Sequence, residues 1–160
     1  MNILIAYASK YGCTEKCASI LSDNFQKDSL PVTVFNLAGK QKINLSDFDT
    51  IAIGGSIMAG KLNPLVRKFC ENNLSELLQK RLGLFICAAA AELVEKDMTD
   101  NFPQQLLSKA AVKGYFGYEF NFEKMNFAIR SIIKKMSKIE DNVSNIIENN
   151  IKEFAANLKG

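Results

Sequence analysis

Five apolar runs of strand length, at 2–8, 31–36, 50–56, 82–90 and 112–118, alternate along the chain with longer stretches of helical period. Parallel neighbours need a crossover long enough to hold a helix, so this alternation commits the chain to a parallel sheet with helices on both faces. The helical patterns fall at about 13–27, 63–79 and 99–110, followed by two more at about 123–137 and 142–158. Punctuation agrees with the breaks. Pro31 starts a strand, Asn63-Pro64 reads as a cap followed by a first-turn proline, and Pro103 stands near a further helix start. No internal repeat, low-complexity tract or linker interrupts the pattern. The expectation is therefore one domain over 1–160, large enough to bury a core without disulfides or a structural metal.

Composition removes several function classes. A formal charge of +3 is too small to argue for a nucleic-acid partner. The chain has no histidine, which excludes a histidine triad, a histidine metal site and a histidine haem ligand. Cys13, Cys17, Cys70 and Cys87 lack the paired spacing of a zinc site, so no metal is expected, and free thiols suit a reducing compartment. No basic n-region precedes the first apolar run, and no window approaches the roughly 20 apolar residues of a spanning helix. A cytoplasmic location is the expectation.

The segment Ser9-Lys10-Tyr11-Gly12-Cys13-Thr14 joins the first apolar run to the first helical pattern. The opening turn of a helix carries unpaired N–H groups and the positive end of the macrodipole, so it can hold a phosphate monoester without a cation. Ser9, Thr14 and the Tyr11 backbone add donors, Gly12 permits close approach, and Thr14 can also cap the helix. The spacing fits neither the Walker loop nor the dinucleotide fingerprint Gly-x-Gly-x-x-Gly.

This segment resembles the flavodoxin phosphate loop, Ser/Thr-x-Thr/Tyr-x-x-Thr, which grips the phosphate of FMN. The likeness extends over nearly the whole chain. It implies an α/β flavodoxin-like three-layer sandwich, with a five-stranded parallel sheet in the order 2-1-3-4-5 and a ligand site at the carboxyl ends of the strands. Within that family, Ile53-Gly54-Gly55-Ser56-Ile57-Met58-Ala59-Gly60 and Ile132-Ile133-Lys134-Lys135-Met136-Ser137 resemble segments of the menaquinone-dependent protoporphyrinogen dehydrogenases. The chain departs from that subgroup in being shorter and less basic after the last strand.

By this resemblance, Ser9, Lys10, Tyr11, Gly12, Cys13 and Thr14 would hold the FMN phosphate. Ser56, Ile57, Met58, Ala59 and Gly60 would border the ring near N5, and Ala89, Ala90, Ala91 and Glu92 would face its pyrimidine edge. The small residues Gly54-Gly55-Ser56 would admit the planar ligand, and Gly60 could turn its peptide cheaply as N5 gains a proton. Shuttle flavodoxins usually stack aromatic side chains on the ring from these last two loops. Here Met58 and Leu93 stand instead, so the expected ring face is open.

Tyr115, Phe116, Tyr118, Phe120 and Phe122 either roof the flavin or face the core, with the last three as the better functional candidates. Apolar residues recur at helical spacing over 125–139, with Arg130, Lys134, Lys135 and Lys138 between them. Such a helix either packs on the sheet or makes peripheral contact with an anionic membrane. Cys13 and Cys17 are open to two readings, a redox pair or a loop residue beside a packed one, whereas Cys70 and Cys87 read as core.

The leading functional expectation is an oxidoreductase in which noncovalent FMN carries the chemistry and no protein residue is assigned as acid or base. The resemblance implies protoporphyrinogen as substrate and a quinone as acceptor. The alternatives are an electron carrier that docks a redox partner protein, and a flavin-free interaction module. Glu92, Glu95 and Asp97 would lower the flavin potential, with Lys61 and Lys96 diluting their field.

Overall fold

A computed structural model describes residues 1–160. In chain order the elements are β1 (Ile3–Ala8), α1 (Cys13–Gln26), β2 (Val32–Asn36), β3 (Thr50–Met58), β4 (Lys61–Leu62), α2 (Pro64–Asn72), α3 (Leu74–Leu77) and β5 (Arg81–Cys87). They continue with α4 (Val94–Asn101), α5 (Gln104–Lys109), β6 (Val112–Tyr115), β7 (Gly117–Phe120), α6 (Phe127–Ser137), β8 (Val143–Ile146) and α7 (Glu148–Lys159). The path β2-β1-β3-β5-β6 is parallel throughout, and counting only these strands gives the expected order 2-1-3-4-5. The short β4 adds an antiparallel sixth strand beside β3, and β7 with β8 forms a separate antiparallel ribbon.

Side-chain alternation along the buried strands feeds two cores. Leu4, Ala6 and Ala8 face one layer with Ile51, Ile53, Leu82, Leu84 and Ile86, under the α2 and α4 residues Val66, Cys70 and Met98. Ile3, Ile5 and Tyr7 face the other with Ala52, Phe85 and Cys87, under Cys17, Leu21 and Phe25 of α1 and Phe154 of α7. Asn63 caps α2 as expected, its side chain accepting from Leu65 N–H ahead of Pro64.

Several boundaries differ from the sequence pattern. The helix expected at 63–79 breaks at Asn73, whose side chain donates to the Phe69 carbonyl at 2.8 Å. The helix expected at 99–110 begins earlier and divides at Phe102, which Pro103 forces into an extended conformation (φ −98°, ψ 147°). Residues 143–146 are strand rather than helix, because Val143 to Ile146 pair with Phe120 to Gly117. The strand expected over 82–90 ends at Cys87.

The last expected strand, 112–118, is divided at Phe116. Phe116 N–H donates to the Ile86 carbonyl and Ala88 N–H to the Gly117 carbonyl, so the chain follows β5 to its end before turning away. Gly117 makes that departure possible. Its φ is +82°, and a Cβ there would stand 2.0 Å from the Asn145 carbonyl oxygen. The chain returns at Ile147, whose N–H donates to the Phe116 carbonyl at 3.0 Å. Residues 117–146 are thus an insert whose two ends meet at the edge of the sheet.

Candidate functional site

The register pairs Ala8 with Gly55 and Ser56 with Cys87, so β1, β3 and β5 end side by side and send their loops to one edge of the sheet. The sequence-predicted residues are therefore brought together, with differences in how each is held.

In the first loop, Gly12 is the N-cap of α1 at φ +96°, and its N–H donates to Ser9 Oγ at 3.0 Å. Thr14 is the second helical residue and caps nothing, contrary to the sequence expectation. It is fully buried, and its Oγ1 has no hydrogen-bond partner. The N–H groups of Tyr11, Cys13, Thr14 and Glu15 have no backbone acceptor either. Buried polar groups are nearly always satisfied, so this orphan hydroxyl beside a row of free donors has the form of an anion cup. The FMN phosphate implied by the resemblance fits it.

A residue that the sequence reasoning missed completes the cup. Lys124 Nζ lies 2.8 Å from the point where a Cβ on Gly12 would stand, so the ammonium reaches the loop from the insert. Its position is braced. Phe122 N–H donates to Asn142 Oδ1 at 2.8 Å, and Arg130 of α6 donates to the Phe122 carbonyl at 2.6 Å across the short turn Phe122–Lys124. Lys16 and Glu119 tie α1 to β7 with an ion pair at 3.0 Å.

The second loop is a two-residue hairpin. Ser56, Ile57 and Met58 belong to β3, and Ala59 and Gly60 turn the chain into β4 with φ of +49° and +72°. Positive φ at both central positions is the geometry of a type I′ turn, and Ala59 holds it despite its Cβ. Asn101, buried on α4, clamps the turn: Leu62 N–H donates to its Oδ1 at 2.9 Å, and its Nδ2 donates to the Gly60 carbonyl at 3.0 Å. Gly54 and Gly55 were expected to admit a planar ligand. They instead admit the core, since a Cβ on Gly54 would stand 2.3 Å from the Phe85 ring and one on Gly55 would stand 2.8 Å from Val66.

Asp97 lies behind the same hairpin, its Oδ1 4.0 Å from a Cβ placed on Gly60. It is a buried residue, and desolvation pushes its carboxyl above the ordinary value, with Asp100 adding to the rise and Lys96 opposing it. The folded chain therefore holds this proton more tightly than the unfolded chain, and stability is lost as pH rises from the ordinary value of 3.8 through the raised one. Asp97→Asn is expected to raise the melting temperature at pH 7 and to leave it unchanged at pH values below that range. Melting curves at the two pH values test the sign.

The third loop comprises exposed Ala89, half-buried Ala90 and exposed Ala91 and Glu92, the last two in a short turn that leads into α4. Tyr115 supports its start by donating to the Ala88 carbonyl at 2.9 Å. The aromatic cluster divides as the alternation suggested. Phe116 is core, stacked on Phe85 with ring centroids 4.6 Å apart. Tyr118 and Phe120 are half-exposed and contact each other at 5.1 Å, with Phe122 buried beside Phe120 under the ammonium of Lys134. A concavity between α4, α5 and β6, lined in part by Val94, Met98 and Tyr115, contains none of the first-loop residues.

The cysteines also differ from their sequence appearance. Cys13, Cys17 and Cys87 are scattered in the chain, yet their sulfurs all lie within 4.8 Å of one another beneath the first loop. Hydrogen bonds from the Cys17 and Cys87 thiols push Cys13 down, and the same sharing pushes the other two up.

Comparison with known proteins places this geometry. A family model described as a flavodoxin domain matches residues 4–145. The two-electron reduced flavodoxin of Megasphaera elsdenii is 18% identical with a TM-score of 0.64, covering 99% of each chain. The flavodoxin of Streptococcus pneumonia TIGR4 is 19% identical with a TM-score of 0.60, covering 99% of this chain and 98% of its own. Rubredoxin oxygen:oxidoreductase from Desulfovibrio gigas is 15% identical with a TM-score of 0.58, and this chain spans 37% of its length. No protein of curated function matches the sequence. These solved structures establish the fold, and the family match extends over most of the sequence, so the chain belongs to the flavodoxin-domain family.

Proposed function

We propose that the protein binds FMN noncovalently and works in electron transfer. The observation that carries this reading is the cup itself: a fully buried Thr14 hydroxyl without a partner, free N–H groups at the start of α1, and Lys124 brought to Gly12 by the insert. When bound, FMN supplies one-electron or hydride chemistry, and the chain's residues orient it. Thr14 and the α1 amides fix the phosphate, Lys124 adds charge, and Asn101 holds the Ala59-Gly60 hairpin where the ring edge would lie.

An oxidoreductase acting on a flat apolar substrate, of the porphyrinogen class with a quinone acceptor, is the finer proposal. Its support is the absence of aromatic side chains from the second and third loops, with Leu93 44% exposed and half-exposed Tyr118 and Phe120 nearby in the insert. α6 adds a surface suited to a quinone's surroundings. It buries none of its residues, and Phe127 and Met136 are 82% and 75% exposed beside Arg130, Lys134 and Lys135. The sequence left open whether this helix packs on the sheet, and it does not. The chain is expected to sediment with anionic vesicles at low salt and to leave them at high salt, and Phe127→Ser should abolish the binding. An electron carrier without its own substrate is the second reading. Its support is that the chain matches single-domain flavodoxins from end to end.

The test is a fluorescence titration of flavin-stripped protein with FMN beside riboflavin, which has the ring without the phosphate. FMN is expected to be quenched at far lower concentration. Lys124→Gln should weaken FMN by roughly tenfold, flatten the salt dependence of its binding and leave riboflavin unchanged, as loss of one charge-assisted contact would. Equal binding of the two ligands by the parent chain would remove the phosphate assignment. Turnover of a porphyrinogen with a quinone then separates the enzyme from the carrier.

A further inference from the structure

We propose that Cys13, Cys17 and Cys87 form a three-thiol site that captures a trivalent metalloid hydroxide, of the arsenite or antimonite class, as a neutral trithiolate. Cys13 and Cys17 are one helical turn apart on α1, so their side chains share a face, and Cys87 at the end of β5 meets them from the sheet. Their sulfurs lie within 4.8 Å of one another. A centre that holds sulfur at about 2.3 Å keeps three such atoms at most about 4 Å apart, so this triangle needs little contraction to close on one ion.

Burial and charge select the class of ion. Cys17 is fully buried, Cys87 is 3% exposed, and apolar neighbours including Ala18, Phe85 and Ile151 share their layer of the core. Three thiolates around a monovalent or divalent ion would leave net negative charge in that apolar layer, where nothing compensates its lost hydration. Lys16, the cation on the same turn of α1, is already paired with Glu119. A trivalent centre carries no such cost. In the balanced reaction, three S–H bonds and three bonds from the metalloid to hydroxyl oxygen break, three bonds to sulfur form, and three waters leave. No electron moves, a Cys13 that starts as the thiolate takes one solvent proton into the third water, and the product is neutral. A trivalent metalloid with a lone pair is satisfied by three ligands in a pyramid, so no fourth donor is required, and soft thiolates suit it. Cys13, half-buried at the mouth of α1, provides the point of entry.

The experiment is a titration of the reduced full chain with arsenite, followed by native mass spectrometry and arsenic X-ray absorption. The expected result is one arsenic per chain, a mass gain of one arsenic less three protons, and a first shell of three sulfurs. The melting temperature should rise with arsenite concentration, as for any ligand that binds only the folded state. Cys17→Ala should weaken the capture by roughly tenfold or more by leaving a two-sulfur site. Cys70→Ala, which removes the one thiol outside the cluster, should leave it unchanged. No mass gain, a first shell of two sulfurs or fewer, or dependence on Cys70 would overturn the assignment, and the wild-type absorption spectrum decides it even if a cysteine variant does not fold.

Discussion

Thr14→Val is expected to move two measurements in opposite directions. Valine has the shape of threonine without the hydroxyl, and Thr14 is fully buried with its Oγ1 unpartnered, so the flavin-free protein should gain about 1–3 kcal/mol from removal of an unsatisfied polar group. That gain reads as a rise in melting temperature of about 2–4 °C for each kcal/mol at this chain length. FMN affinity should fall, because a hydrogen bond to a charged oxygen is worth about 1.5–3 kcal/mol, or roughly ten- to a hundredfold in Kd. Riboflavin should bind as before. A lower melting temperature in the flavin-free variant, together with unchanged FMN binding, would show that the hydroxyl serves the fold and not a ligand.

Gly54→Ala should produce the largest loss of stability. The added methyl would stand 2.3 to 2.5 Å from three carbons of the Phe85 ring. That ring cannot swing away, since it is stacked on Phe116 at 4.6 Å and meets Phe154 edge-on at 5.9 Å. Overpacking of this kind costs about 3 kcal/mol or more, which would lower the melting temperature by roughly 6–12 °C. Phe85→Leu should recover part of the loss in the double variant, because it removes the ring atoms that collide. Urea unfolding of the single and double variants measures both terms. Additive losses would mean that the glycine is required for some reason other than room for the ring.

The strands were legible in the sequence because they depend on local periodicity, whereas their order and the role of the three loops at their carboxyl ends came from the resemblance to flavodoxins. Buried runs such as Ile3–Ala8 and Leu82–Cys87 announce themselves whatever they later touch. What remained hidden depends on contacts between distant residues. β8 fell inside the helical pattern expected at 142–158 because its four residues gain their strand geometry only by pairing with β7. Gly54 looked like room for a ligand because the ring that fills the space lies more than thirty positions away in the chain. Lys124 carried no sequence signal, one lysine among the 20 Lys and Arg, until Arg130 and Asn142 positioned its turn against Gly12. The three-cysteine cluster was invisible for the same reason. Two of its members share a helix face that spacing reveals, but nothing in the chain points from them to Cys87.

The insert at 117–146 leaves and rejoins the sheet at adjacent points, Phe116 and Ile147, which are joined by a hydrogen bond of 3.0 Å. A chain connected in that way is two objects sewn at one seam and pinned by the Lys16–Glu119 ion pair. The doubly wound layers close without the insert, while the Lys124 ammonium beside Gly12 and the half-exposed aromatics belong to it. The insert's contribution to a ligand site and the integrity of the scaffold can therefore change independently. A short turn bridging Phe116 to Ile147 is expected to yield a smaller protein that still folds and keeps the Thr14 hydroxyl and the α1 amides but lacks the Lys124 ammonium.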